Sequence, residues 1–211
     1  MKTDQLIDML ANNVEPMQRP AWARRMAATL ALGLIAAAVL VIVVVHIRPD
    51  IGTSMTAVLM KAAFSALAAA VMLPLVMRLM RPGAPLGWRV AAVFVFLGIC
   101  VLTTAIALLG QPTTARMHAW TGGYFPWCIV AIPLFAAPTA AALVWLMRGL
   151  APTRLTLTGA AIGALSGGIG AMAYAMYCPV DSVAFVTTWY VVAIAICAAA
   201  GALLGSRLLR W

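Results

Sequence analysis

Charge is what this chain has least of. Only 9% of its 211 residues are Asp, Glu, Lys or Arg, and five of them are acidic. Soluble domains carry about 25% charged residues. With 65% hydrophobic residues and a mean hydropathy of +1.04, the chain cannot build a water-facing shell around its apolar side chains. That excludes a soluble globular class and leaves an integral membrane protein. Ionisable groups are nearly absent from the long apolar runs, which disfavours an ion-coupled transporter, because such proteins place them at membrane depth. There is no CxxC pair, which argues against a membrane thiol oxidoreductase. No phosphate-cradling glycine loop, paired histidines or nucleophile elbow occurs. No catalytic activity and no resident cofactor are therefore expected. The opening does not read as a signal peptide: its first 25 residues are polar and of mixed charge, and the first apolar run is too long for an h-region.

What is present is a set of apolar runs. A helix needs about 20 such residues to cross the hydrocarbon, and six candidates occur, at 26–46, 57–77, 90–109, 124–147, 155–177 and 183–204. Pro74 falls in the second run, and Pro133 and Pro138 in the fourth; a bundle can absorb such breaks. The expected fold is all-α: a polytopic membrane protein of six transmembrane helices in three hairpins. With the N-terminus inside, eleven basic residues fall on inner segments (Lys2, Arg19, Arg24, Arg25, Arg78, Arg81, Arg89, Arg148, Arg154, Arg207 and Arg210) and three on outer ones (Arg48, Lys61 and Arg116). This asymmetry follows the positive-inside rule and puts both termini on the cytoplasmic side of the membrane. It also accounts for the net charge of +9 without a nucleic-acid partner; the lipid bilayer is the first partner. Lys61, at the start of the second run, is expected to snorkel outward. In the fifth run Gly159, Gly163 and Gly167 recur every four residues, a stripe along which another helix can approach closely, within the bundle in preference to a dimer.

The four cysteines divide by depth. Cys100 and Cys197 sit within apolar runs and read as small hydrophobes. Cys128 and Cys178 lie near the outer ends of the fourth and fifth runs, at depths that differ by about 6 Å or less. Cys178 belongs to the connection YCPVDS, residues 177–182. Three readings stand side by side: a structural disulfide, two unrelated buried thiols, or a sensing pair of accessible thiols for a soft metal or an oxidant. Asp181 and His118 are the candidate auxiliary ligands of a transient heavy-metal ion. Asp181 and Ser182 strongly suit the start of the sixth span as helix caps, and His118 reads first as a loop residue.

The N-terminal segment is the other informative stretch. Thr3 suits an N-cap and Asp4 the first turn. Leu6, Ile7 and Leu10 recur at helical spacing, with Asp4 and Asp8 on the opposite row. A helix of about ten residues is marginal alone, so its apolar face needs a cover: a partner protein, its own bundle or lipid. Anionic lipid would repel the aspartates, which favours a protein groove.

Several stretches together resemble the NrsF-like family of bacterial anti-sigma factors: the opening MKTDQLIDMLA, Trp127-Cys128 leading into the proline-containing fourth run, YCPVDSVAFVTTWY at 177–190 and the closing GSRLLRW. The similarity covers nearly the whole chain, and the cysteine-proline loop with its acid and WY pair is its most specific part. It implies a membrane anti-sigma factor that holds an extracytoplasmic-function sigma factor and releases it when heavy metal or oxidant acts on two cysteines, here Cys128 and Cys178. It implies that residues 1–25, with Thr3, Asp4, Leu6, Ile7, Asp8 and Leu10, bind the sigma factor and that 26–211 form the six-helix sensor. The runner-up is a small membrane transporter or metal-efflux component.

Overall fold

Hydrocarbon offers no hydrogen-bond partners, so an apolar run that crosses it must satisfy its backbone internally, as a helix. The computed structural model, which describes residues 5, 19–80, 85–122, 127–149 and 152–209, follows that rule. Its described helices are α1 (Arg19–Val44), α2 (Met55–Leu79), α3 (Trp88–Leu109), α4 (Thr113–Thr121), α5 (Cys128–Arg148), α6 (Leu155–Tyr174) and α7 (Val183–Leu208), with no strand among the described residues. Six of them, all but α4, are long and apolar enough to cross a membrane. Large apolar side chains such as Leu32, Val43, Phe94, Val101 and Leu203 stay exposed along the outside. Water would not tolerate so broad an apolar surface, whereas lipid does.

The expected spans are all present, with shifted ends. α1 is described from Arg19, seven residues ahead of the apolar run expected at 26. The expected division of the chain at residue 25 therefore falls inside a continuous helix. The expected N-terminal helix, with Thr3, Asp4, Leu6, Ile7, Asp8 and Leu10, lies outside the described residues. α4 was expected as loop; Pro112 precedes it and Gly122, at φ +69°, ends it with the left-handed conformation that glycine accepts.

Of the three expected hairpins, only the third packs closely among the described residues, α6 against α7. α6 is the hub and packs against α1, α2, α5 and α7, while α1 also lies on α5. The sequence reason is the density of glycine, alanine and serine on α6, which lets neighbours reach its backbone. A Cβ on Gly159 would strike the Gly201 carbonyl, and one on Gly163 the Cys197 carbonyl. The glycine stripe is thus spent on contact within the chain. The core divides along the bundle axis. Met26, Val76, Leu143, Met147 and Leu209 fill the end near Arg148, and Cys128, Tyr174, Cys178 and Tyr190 belong to the cluster toward the end carrying Asp181.

Candidate functional site

After α1, His46 adopts φ 63° and turns the chain back, and the Arg48 amide donates to the Met176 carbonyl at 3.2 Å. The Arg48 side chain is thereby buried, 5% exposed, and must find partners. Its Nε and Nη2 donate to the two carboxylate oxygens of Asp50, both at 2.7 Å. Nη1 donates to Asp181 Oδ1 at 2.9 Å and to the Cys178 carbonyl at 3.2 Å. Nη2 also reaches Ser54 Oγ at 3.1 Å and Asp181 Oδ2 at 3.4 Å. Lys61, in the second turn of α2, enters from the other side. Its Nζ lies 2.6 Å from Asp181 Oδ1 and donates to the same Cys178 carbonyl at 2.7 Å.

Two cations and two carboxylates therefore balance in one network, as buried charge requires. The hydrogen bond from Arg48 holds the Asp50 carboxyl well below the usual carboxylate range. Burial pushes Asp181 up, but its hydrogen bonds with Arg48 and Lys61 outweigh that and leave it lowered. Both carboxylates are ionised at neutral pH.

These contacts correct two expectations. Lys61 does not snorkel outward; it is 3% exposed and turned inward, because the Cys178 carbonyl and the Asp181 carboxylate offer it partners there. Nor do Asp181 and Ser182 cap α7. Ser182 stands at the N-cap position without a side-chain capping bond, its hydroxyl donating instead to the Ala119 carbonyl at 2.7 Å. Asp181 is committed to Arg48 and Lys61.

The thiols lie beneath this network. Cys178 points into the core, 1% exposed, with Sγ 3.7 Å from the Val180 carbonyl. Cys128, the first residue of α5, is fully buried. Both belong to the same cluster as Phe135, Tyr174 and Tyr190, whose rings pack on one another, with Tyr174 6.2 Å from Phe135 and 6.0 Å from Tyr190. The Tyr190 hydroxyl meets no acceptor or donor in good hydrogen-bond geometry among the described residues, and the Cys178 thiol is its nearest polar neighbour of note. All four cysteines are free and buried, so neither thiol of the expected sensing pair is open to solvent. Cys197 lies in the α6–α7 crossing against Gly163 and Gly167, and Cys100 lies on α3.

One turn of α7, Val186–Tyr190, is a π-helix, a form that recurs at functional sites. It sets Thr187 against Thr104 at 2.7 Å and lets Trp189 Nε1 donate to the Trp120 carbonyl at 2.9 Å, tying α7 to α3 and α4. His118 is on α4, exposed, and is not gathered with the thiols. Among the described residues no group of three or more His, Cys, Asp or Glu side chains is placed to hold a metal ion. His118 and Asp181 therefore do not complete a ligand set with Cys128 and Cys178. Two sulfurs without such a third ligand can still take up a soft cation as thiolates, or be oxidised together.

Sequence reasoning missed Arg48, Asp50 and Lys61. A signal for them exists: after residue 15 the chain has only two acids, Asp50 and Asp181, each close to a membrane-edge cation in the fold.

Comparison with known proteins adds to this geometry. Residues 10–211 match the family profile described as "NrsF: Negative regulator of sigma F". A protein of Azospira oryzae named "Probable anti-sigma-F factor NrsF" is 35% identical over 217 residues, covering the whole of both chains. The "Anti-sigma-F factor NrsF" of Caulobacter vibrioides is likewise 35% identical over 217 residues and the whole of both chains. No solved structure matches.

Proposed function

This chain belongs to the NrsF family of negative regulators of sigma F, and from that premise we propose that it is a bacterial inner-membrane anti-sigma factor for an extracytoplasmic-function sigma factor. Residues 1–25 face the cytoplasm and hold the sigma factor, with Leu6, Ile7 and Leu10 in its groove and Asp4 and Asp8 paired with its basic residues. Heavy metal or oxidant acts on Cys128 and Cys178 and releases it. The protein regulates and does not catalyse. The observation that carries the regulatory reading is the full-length match to anti-sigma relatives in a chain with six membrane-crossing helices. The distribution of basic residues, eleven against three, supports the orientation. The membership of both thiols in one buried cluster supports their acting as a pair.

Chemically, a soft cation replaces two thiol protons, or an oxidant accepts two electrons as the sulfurs join and two protons leave. Either event draws the sulfurs together. The test is a sigma-dependent reporter in the host. The Cys128→Ser, Cys178→Ser double variant should repress normally and fail to respond to Cd2+ or to a thiol oxidant, whereas Cys100→Ser and Cys197→Ser should respond as wild type. Normal induction in the double variant contradicts thiol sensing. For the N-terminal segment, Leu6→Asp with Leu10→Asp should abolish repression, and unchanged repression contradicts that assignment.

A further inference from the structure

The Cys178 carbonyl accepts from both buried cations, Lys61 Nζ at 2.7 Å and Arg48 Nη1 at 3.2 Å, while Asp181, three residues on, neutralises the same two groups at 2.6 and 2.9 Å. One short loop is therefore held by its main chain and by a side chain at once. We propose that Arg48, Lys61 and Asp181 are positioning residues for the thiol site: an ionic latch that holds the Cys178 loop closed in the sigma-holding state, and whose opening converts chemistry at the sulfurs into release. This deepens the function proposed above and rests on it.

Three observations carry the argument. First, both thiols are buried, at 0% and 1% exposure, so a reagent reaches them only if something over them moves. The network grips the loop that carries Cys178, at its main-chain carbonyl. Second, joining two sulfurs requires a separation of about 2.05 Å with a fixed dihedral, or a comparably short span across a soft ion. Here the thiols are free, and Cys178 Sγ is turned toward the Val180 carbonyl. Reaction moves Cys178, and its carbonyl moves with it. Third, that carbonyl cannot move without cost, because two buried cations would each lose an acceptor. Lys61 sits on α2, which runs unbroken from Met55 to Leu79 and packs against the hub helix α6. A change at Lys61 is therefore passed to a packed rod whose far end carries Arg78. Packed cores respond to such changes by switching between arrangements rather than by bending smoothly.

The latch is charge-balanced, so neutralising Asp181 breaks it while leaving both sulfurs in place. The experiment uses the full-length protein in host membranes with two readouts: uninduced sigma-dependent reporter activity, and alkylation of each cysteine by a membrane-impermeant maleimide, resolved by mass spectrometry. Asp181→Asn should raise uninduced reporter activity by at least about fivefold, the low end of typical coupling between sites, at wild-type membrane abundance. It should also speed alkylation of Cys178 while Cys100 and Cys197 stay unlabelled. Asp181→Glu, which keeps the charge, should restore repression in large part, and Lys61→Met should act in the same direction as Asp181→Asn. Release by Asp181→Asn should persist in the Cys128→Ser, Cys178→Ser background, because the latch acts after the sulfurs. Wild-type repression and labelling in Asp181→Asn overturn the latch, and so does derepression seen only with lost abundance or with Cys197 labelled. A thiol-less protein that still releases on Cd2+ overturns thiol sensing instead, so the two failures are distinct.

Discussion

Lys61 shows how one residue changes role between sequence and structure. A lysine near the start of an apolar helix ordinarily extends toward water, and nothing adjacent in sequence says otherwise. Its partners, the Cys178 carbonyl and Asp181, are more than a hundred residues away. Removing one partner from a buried polar contact costs about 1–3 kcal/mol. Lys61→Met should therefore lower the Tm of purified protein in detergent by several degrees, at roughly 2–4 °C per kcal/mol for a chain of this size; an unchanged Tm would show that the contact adds nothing to stability. The two carboxyls set a pH dependence. Both lie below their ordinary values in the fold, so the unfolded chain takes up protons first. Their stabilisation is complete above the unfolded value near pH 4 and is lost as pH falls toward the lower folded values. Melting curves should be level from about pH 7 to pH 5 and fall below about pH 4, with a shallower fall for Asp181→Asn. A main loss near neutrality would point to a different group. Tyr190 makes the opposite case: its buried hydroxyl has no well-formed hydrogen bond among the described residues, so Tyr190→Phe should leave the Tm unchanged or raise it. A clear fall would mean that the hydroxyl is bonded, with Cys178 the first candidate.

At the scale of elements, hydropathy and length sufficed for six helices, because a membrane imposes both. Their ends were less legible. α1 is already helical at Arg19 and α7 runs to Leu208, each several residues beyond the apolar run, because a helix does not stop where hydrophobicity does. α4 was missed for the same reason in reverse: it is short and polar, and only Pro112 and Gly122 mark it. The π-turn at Val186–Tyr190 leaves no local sequence mark, since its spacing is set by contacts with α3 and α4. The glycine stripe was legible as a close approach but not as to which helix approaches. The structure supplies α7, and that contact gives a contrast. Gly163→Leu places a side chain against the Cys197 backbone carbonyl and should collapse the yield of folded, monodisperse protein. Gly98→Ala on α3 meets nothing within 4 Å among the described residues and should be neutral or mildly stabilising by helix propensity. Equal tolerance at both positions would contradict the α6–α7 crossing.

For the whole molecule, the arrangement joins two ends of a bundle. One end carries the balanced charges and the buried thiols; the other is where α2 ends near Arg78 and Arg148 binds the Leu208 carbonyl. The hub α6 runs between them and touches four other spans, so a shift at the thiol end has a packed route along the bundle. Depth and resemblance singled out Cys128 and Cys178, which the structure places in one buried cluster, but the cations bound to the Cys178 carbonyl were not legible, because charge pairing across the chain leaves no periodic trace. The account stands on sigma-factor binding that depends on the state of those thiols. The most direct measurement is co-purification of the full-length protein from host membranes, with bound proteins identified by mass spectrometry before and after Cd2+ treatment. The account predicts one sigma factor bound before treatment, released by Cd2+ from the wild type and retained by the Cys128→Ser, Cys178→Ser variant. A full-length protein that carries no sigma factor, or one that holds it equally with and without Cd2+ and oxidant, would contradict it.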